Sequence, residues 1–232
     1  MSEKVRITTL DGADTFEAYC ARPDQEPRAA IVVIQEIFGV NEGITRKCDR
    51  LAEEGYLALA PDLFWRLHSS IRLDPDVDEE FKQALDLMNR FDQDQGVADI
   101  EATIRHARAA LGVSKVGAVG YCLGGRLAFM TAARTDVDAT VGYYAVGVPD
   151  LLREKHAIAR PLMLHIAGAD HFVPPDAQRT MHSGLDDHPK VTLHDYPGLD
   201  HGFATEMGKR RDEAGARLAD RRSAEFFAEH LN

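Results

Sequence analysis

The chain has 232 residues, 44% of them hydrophobic, and a formal net charge of -11. That length suffices for one sizeable α/β core, and the acidic balance argues against a nucleic-acid partner and against an acidic membrane surface. Cys20, Cys48 and Cys122 are an odd count without metal-ligand spacing, and Met1-Ser-Glu-Lys-Val-Arg-Ile7 holds no apolar run of signal-peptide length, so a cytoplasmic chain without membrane span, metal or cofactor is expected.

Val5 to Leu10 and Thr15 to Cys20 alternate around Asp11-Gly12, which predicts an antiparallel hairpin at one sheet edge. Ala29 to Ile34 is a continuous apolar run, the pattern of a strand buried on both faces. Asn41 can cap a helix that runs to about Glu54 and stops at Gly55; Tyr56 to Ala60 is another buried strand, stopped by Pro61. Trp65 to Pro75 reads as an irregular excursion and Glu79 to Phe91 as a helix. Val97, Ile100, Ile104, Ala107 and Leu111 make one apolar stripe at helical spacing, ended by Gly112. Strands are predicted at 115–120, 139–144, 161–166 and 191–196, with helices from about Pro175 to Leu185 and from Arg211 to Leu231. Strands alternating with helices imply an α/β fold: a mostly parallel sheet with helices on both faces, its functional crevice beyond the carboxyl ends of the strands.

Four chemically capable residues fall on that rim. Gly120-Tyr-Cys-Leu-Gly-Gly125 lies between a strand and a helix, a nucleophile elbow with Cys122 as the exposed thiol. Glu36 and Asp170 follow buried strands, and His201 comes five residues after the last one. The order nucleophile, acid, histidine is that of the α/β-hydrolases. Asp176, one turn into a helix, and Asp200, adjacent to His201, are less well placed than Asp170 to orient the imidazole. His165 and His194 fall inside strands, where packing or solvent-facing roles are expected.

Together Gln35-Glu-Ile-Phe-Gly-Val-Asn41, Pro61-Asp-Leu63, Gly120-Tyr-Cys-Leu-Gly-Gly125, Val141-Gly-Tyr-Tyr144, Asp170-His-Phe-Val-Pro174 and His201 occur in the order of the dienelactone hydrolase (carboxymethylenebutenolidase) family, which the chain resembles over nearly its whole length. The resemblance implies a single α/β-hydrolase domain over 1–232, with Cys122 as nucleophile, His201 as base and Asp170 as its orienting acid. It also implies that Glu36 meets the thiol and helps generate the thiolate, and that the backbone N–H groups of Ile37 and Leu123 form the oxyanion hole. A carboxylate beside a thiol would oppose ionisation unless it takes the proton; the plain alternative for Glu36 is a pair with a nearby arginine.

The chain also departs from the family pattern. Members that open dienelactone hold its carboxylate with basic side chains, one shortly after the catalytic histidine and one on the helix after the Leu-Asp-Pro segment. Here those places hold Thr205 and Phe81, with Leu85 in place of a tyrosine. Arg72, Lys82, Lys209, Arg210 and Arg211 could supply a cation from elsewhere, although each reads more readily as a solvated charge, so a neutral ester or lactone is expected to bind better than an anion. Phe38, Trp65, Tyr144, Phe172 and Phe203 are the expected substrate contacts. The expected protein is a monomeric hydrolase of a small ester or lactone, working through a thioester. The alternatives are a thiol-redox or ligand-binding protein on the same scaffold, and an acyltransferase or thioesterase.

Overall fold

Eight strands form one sheet in the order β1-β2-β4-β3-β5-β6-β7-β8: Ser2–Thr8, Thr15–Ala21, Ala30–Ile34, Leu57–Pro61, Val116–Tyr121, Ala139–Tyr143, Leu162–Ala167 and Val191–Tyr196 are β1 to β8 in chain order. The structure, a computed structural model, describes residues 1–231; Asn232, the end of the expected span, lies outside them. The β1–β2 hairpin is antiparallel and sits at the edge, as its turn chemistry predicts. β2 joins β4 antiparallel, and every pairing beyond it is parallel.

The continuous apolar runs are strands covered on both sides. Ala30, Val32 and Ile34 of β3 point into a layer with α2 (Asp78–Arg90), α3 (Gln93–Leu111), α4 (Leu123–Arg134) and α5 (Pro175–Leu185). Ile31 and Val33 point to the other face, against α1 (Glu42–Glu53) and α6 (Glu213–His230). The period of two along a strand sends alternate residues to opposite helix layers. Asn41 caps α1 by accepting from the Ile44 N–H at 3.2 Å, and its amide donates to the Leu73 carbonyl at 3.0 Å. A 3-10 helix at Val148–Ala157 was not anticipated: its polar, aperiodic sequence carries no amphipathic signal, and only Val148 and Leu151 are buried.

Trp65 lies apart from the strand ends that the site occupies. Its ring stacks on Phe16 at 5.9 Å, and its indole N–H donates to Asp99 Oδ2 at 2.9 Å. Asp99, on α3, is 1% exposed and also accepts from Arg66 through both carboxylate oxygens. A half-buried indole still gains from an acceptor, and this carboxylate holds it against the hairpin. Asp99→Ala should therefore cost about 2–4 kcal/mol in urea unfolding, since it strands the indole N–H and unpairs Arg66, which is itself partly exposed. An unchanged midpoint would deny the pair its structural role.

Candidate active site

β5 ends at Tyr121 and α4 begins at Leu123, so the whole reversal falls on Cys122, at φ 56° and ψ -115°. An L-residue seldom adopts positive φ, and here the surroundings hold it. The Cys122 N–H donates to the Tyr143 carbonyl at 3.1 Å, and its carbonyl accepts from the Arg126 N–H at 3.2 Å. Glycine is required around it: a Cβ on Gly120 would collide with the Gly124 carbonyl, and one on Gly124 with the carbonyl of Ile34. Cys122 is half-buried, whereas Cys20 and Cys48 are fully buried. The Leu123 N–H opens α4 and, like the first donors of any helix, has no partner within it.

The ends of β7 and β8 bring Asp170 and His201 together. Asp170 Oδ1 accepts from the Phe172 and Val173 N–H groups at 2.8 and 3.2 Å, which leaves Oδ2 for His201 Nδ1 at 2.8 Å. Both residues are buried, at 3% and 4% exposed. Phe172 and Tyr144 set their rings edge-on to the imidazole at 4.9 and 5.0 Å. His201 Nε2 is buried and completes no hydrogen bond, although the Cys122 sulfur is near enough to act on it. Burial opposes a charged imidazole. The pull of the neighbouring Cys122 sulfur and the bond to Asp170 outweigh it and raise His201 from 6.5 to about 10. The rival acids lie elsewhere: Asp176 pairs with Arg179 in the solvent, and Asp200 caps the His201 N–H and holds His171.

Glu36 follows β3 and is buried, with the Tyr144 hydroxyl donating to its Oε1 at 3.4 Å. Burial pushes its proton affinity above that of an ordinary carboxylate, partly offset by His201, Lys47, Tyr144 and Arg210. It forms no ion pair with an arginine among the described residues, so the plain alternative raised for it does not hold. Tyr144 itself sits at φ 37° directly after β6. Five strand ends thus converge on one spot, with Glu36, Cys122, Tyr144, Asp170 and His201 contributed by β3, β5, β6, β7 and β8.

Above them lies a cavity of about 230 Å³ that Cys122, Glu36 and His201 share. Ile37, Phe38, Phe81, Leu85, Met88 and Phe172 give it an apolar wall. Residues 205 and 207–210 close its other side.

A model of the dienelactone hydrolase family matches residues 16–231. The carboxymethylenebutenolidase of Pseudomonas putida is 38% identical over 229 residues, spanning 98% of this chain and 97% of that protein. Carboxymethylenebutenolidase 1 of Cupriavidus pinatubonensis is 37% identical, with the same shares of each chain. The chain belongs to the dienelactone hydrolase family. It is a hydrolase of the ester- and lactone-cleaving kind. A solved dienelactone hydrolase-type structure from Klebsiella pneumoniae superposes with a TM-score of 0.82 at 28% identity, covering 99% of this chain and all of that one.

Against the family pattern, the structure corrects several expected contacts. Phe38 and Phe172 line the cavity. Trp65 does not, because Asp99 and Phe16 hold its ring elsewhere. Tyr144 and Phe203 do not line it either: Phe203 packs on Tyr144 and Tyr196 and supports the site from behind. Of the five basic residues that could supply a cation from elsewhere, Lys209 and Arg210 border the cavity. Sequence spacing could not place them, because they lie in an irregular loop whose path depends on its anchors. Thr205, Phe81 and Leu85, the residues that replace the family's polar groups, do line the wall. No helix is long and apolar enough to cross a membrane among the described residues. Asp170, His171 and Asp200 bring potential metal-ligand atoms within 4.8 Å of one another, but Asp170 serves His201 and the other two are exposed and bonded together.

Proposed function

We propose that this chain hydrolyses a small ester or lactone through a thioester on Cys122. The observation that carries the reading is the buried Asp170–His201 pair, whose second ring nitrogen is left without a partner beside the Cys122 sulfur. A buried imidazole with one nitrogen oriented by a carboxylate and the other open at a thiol suits proton transfer at the reacting atoms.

The Cys122 thiolate attacks the substrate carbonyl carbon, and the carbonyl π electrons move to oxygen. The N–H groups of Leu123 and Ile37 receive that oxyanion. Collapse breaks the acyl C–O bond, and the departing oxygen takes a proton from His201 Nε2. Water then attacks the thioester while His201 accepts its proton, and loss of the thiolate frees the acid. Glu36 acts before this cycle as acceptor of the thiol proton. Its burial favours the protonated carboxyl, and Tyr144 steadies the carboxylate by donating to it. The apolar wall excludes water from the thioester until the leaving group departs.

Hydrolysis of 4-nitrophenyl acetate and of a small lactone panel by the wild type tests the reading; turnover of none of them would reject it. The role of Glu36 has its own measurement, the pH profile of Cys122 alkylation by iodoacetamide. Glu36→Gln removes the proton acceptor, so the alkylation inflection should move to higher pH. A superimposable profile would remove Glu36 from thiol activation.

A further inference from the structure

We infer that Gln35 is a positioning residue for the oxyanion hole, its side-chain amide aiming the Ile37 N–H at the developing oxyanion; the inference rests on the hydrolase reading above. Gln35 directly follows β3 and is fully buried. Its Oε1 accepts from the Leu63 N–H at 3.1 Å, and its Nε2 donates to the Glu36 carbonyl at 3.4 Å. The amide fits only this way round, because a backbone N–H can only donate and a carbonyl can only accept. Leu63 is itself held. It lies in the turn after β4, where the buried Asp62 accepts from the Phe64 and Ser70 N–H groups at 3.1 and 2.6 Å.

The Glu36 carbonyl and the Ile37 N–H are opposite edges of one planar trans peptide. A donor that fixes the carbonyl therefore fixes the direction of the N–H. Among the described residues only Gln35 donates to that carbonyl, and the Ile37 N–H donates to no protein group. Ile37 lines the cavity that Cys122 shares, so its free N–H is available to a substrate oxygen. The other restraints on this turn fall to either side of the peptide. Before it, Gly124 presses on the Ile34 and Gln35 carbonyls, with which an added Cβ would collide. Gly124 is next to Leu123, so this contact also ties the second oxyanion donor to the turn. After it, the Phe38 carbonyl accepts from the Leu73 N–H at 2.9 Å, and Gly39 bridges to Arg72. Only the Gln35 amide acts on the peptide between them. An oxyanion donor is effective when it is aimed before the reaction begins, because a preorganised dipole needs no reorientation as charge develops.

Gln35→Met keeps the length of the side chain and removes both bonds. For 4-nitrophenyl acetate its kcat should fall about ten- to a hundredfold with KM within about twofold of wild type, part of the loss that follows deletion of an oxyanion donor. Acylation and deacylation both pass through an oxyanion, so both slow together. Alkylation of Cys122 by iodoacetamide displaces iodide at a saturated carbon and builds no oxyanion, so its rate should stay within about twofold. Asp99→Ala, which weakens the fold away from the strand ends, is the control and should leave both rates unchanged below its melting transition. Gln35→Asn retracts the amide by one methylene and should show the same split, so the test survives if the methionine variant does not fold. Unchanged kcat in the folded variants, or an equal fall in alkylation and hydrolysis, would overturn the inference and spare the hydrolase reading. Hydrolysis that persists in Cys122→Ala would instead strike the reading beneath it.

Discussion

Cys122→Ala should lower kcat/KM for 4-nitrophenyl esters by at least about a thousandfold while the protein stays folded. The size of the loss follows from chemistry: without sulfur no thioester forms, and only the oxyanion donors and the binding wall remain. The folded state should survive because alanine adds no strain that cysteine lacked. Both residues carry a Cβ at φ 56°, and both keep the backbone bonds to Tyr143 and Arg126. His201→Ala should fall nearly as far, and the double variant little further, since the two groups act in one step. Initial rates alongside near-ultraviolet circular dichroism separate lost chemistry from lost structure. Full activity in Cys122→Ala would mean that the nucleophile is another group.

Gly124→Ala should have the opposite signature, a loss of fold. Its Cβ would collide with the carbonyls of Ile34 and Gln35, which belong to the neighbouring central strand and the turn after it. Backbone cannot rotate aside as a flexible side chain can, and β3 is paired on both edges, to β4 and β5. A cost of about 4 kcal/mol or more is expected, against a total stability of about 5–15 kcal/mol for a domain of ordinary stability. The melting temperature should drop by about 10 °C or more. Gly12→Ala is the contrast: it sits at φ 73° in the hairpin turn with nothing within 4 Å of an added Cβ, so only the backbone strain of about 1 kcal/mol applies. Equal melting temperatures for the two variants would mean that steric closure of the elbow contributes little.

The fold was largely legible because its signals are local. The apolar runs that become β3, β4 and β5 need covering on both faces wherever they lie. The Asn41 cap and the Gly112 stop act within one turn of their helices, and Gly112 does adopt a left-handed conformation. The 3-10 helix at Val148–Ala157 had no comparable periodicity to announce it. Around the site the division follows the same line. Cys122 is recognisable from the glycines that its turn demands. Asp170 and His201 are recognisable from chain order and their places after strands. Their contact at 2.8 Å needs β7 and β8 to be neighbours.

The cavity wall was the least legible part. Trp65 looks like a ligand contact in the sequence because it is large and follows a strand, yet a buried carboxylate on α3 claims its indole N–H. Phe203 is two residues from His201, yet it packs behind Tyr144. Arg210 looks like one of many surface charges. It becomes part of the mouth because Lys47 and Arg50 on α1 hold Glu206, well over a hundred residues away in sequence. The sequence by itself determined the alternation of strands and helices, the elbow and the order of its candidate triad, since those depend on short-range sterics and periodicity. Only the tertiary structure decided which side chains enclose the substrate space and where its positive charge sits. Those follow from contacts between segments remote in the chain, which no local pattern encodes.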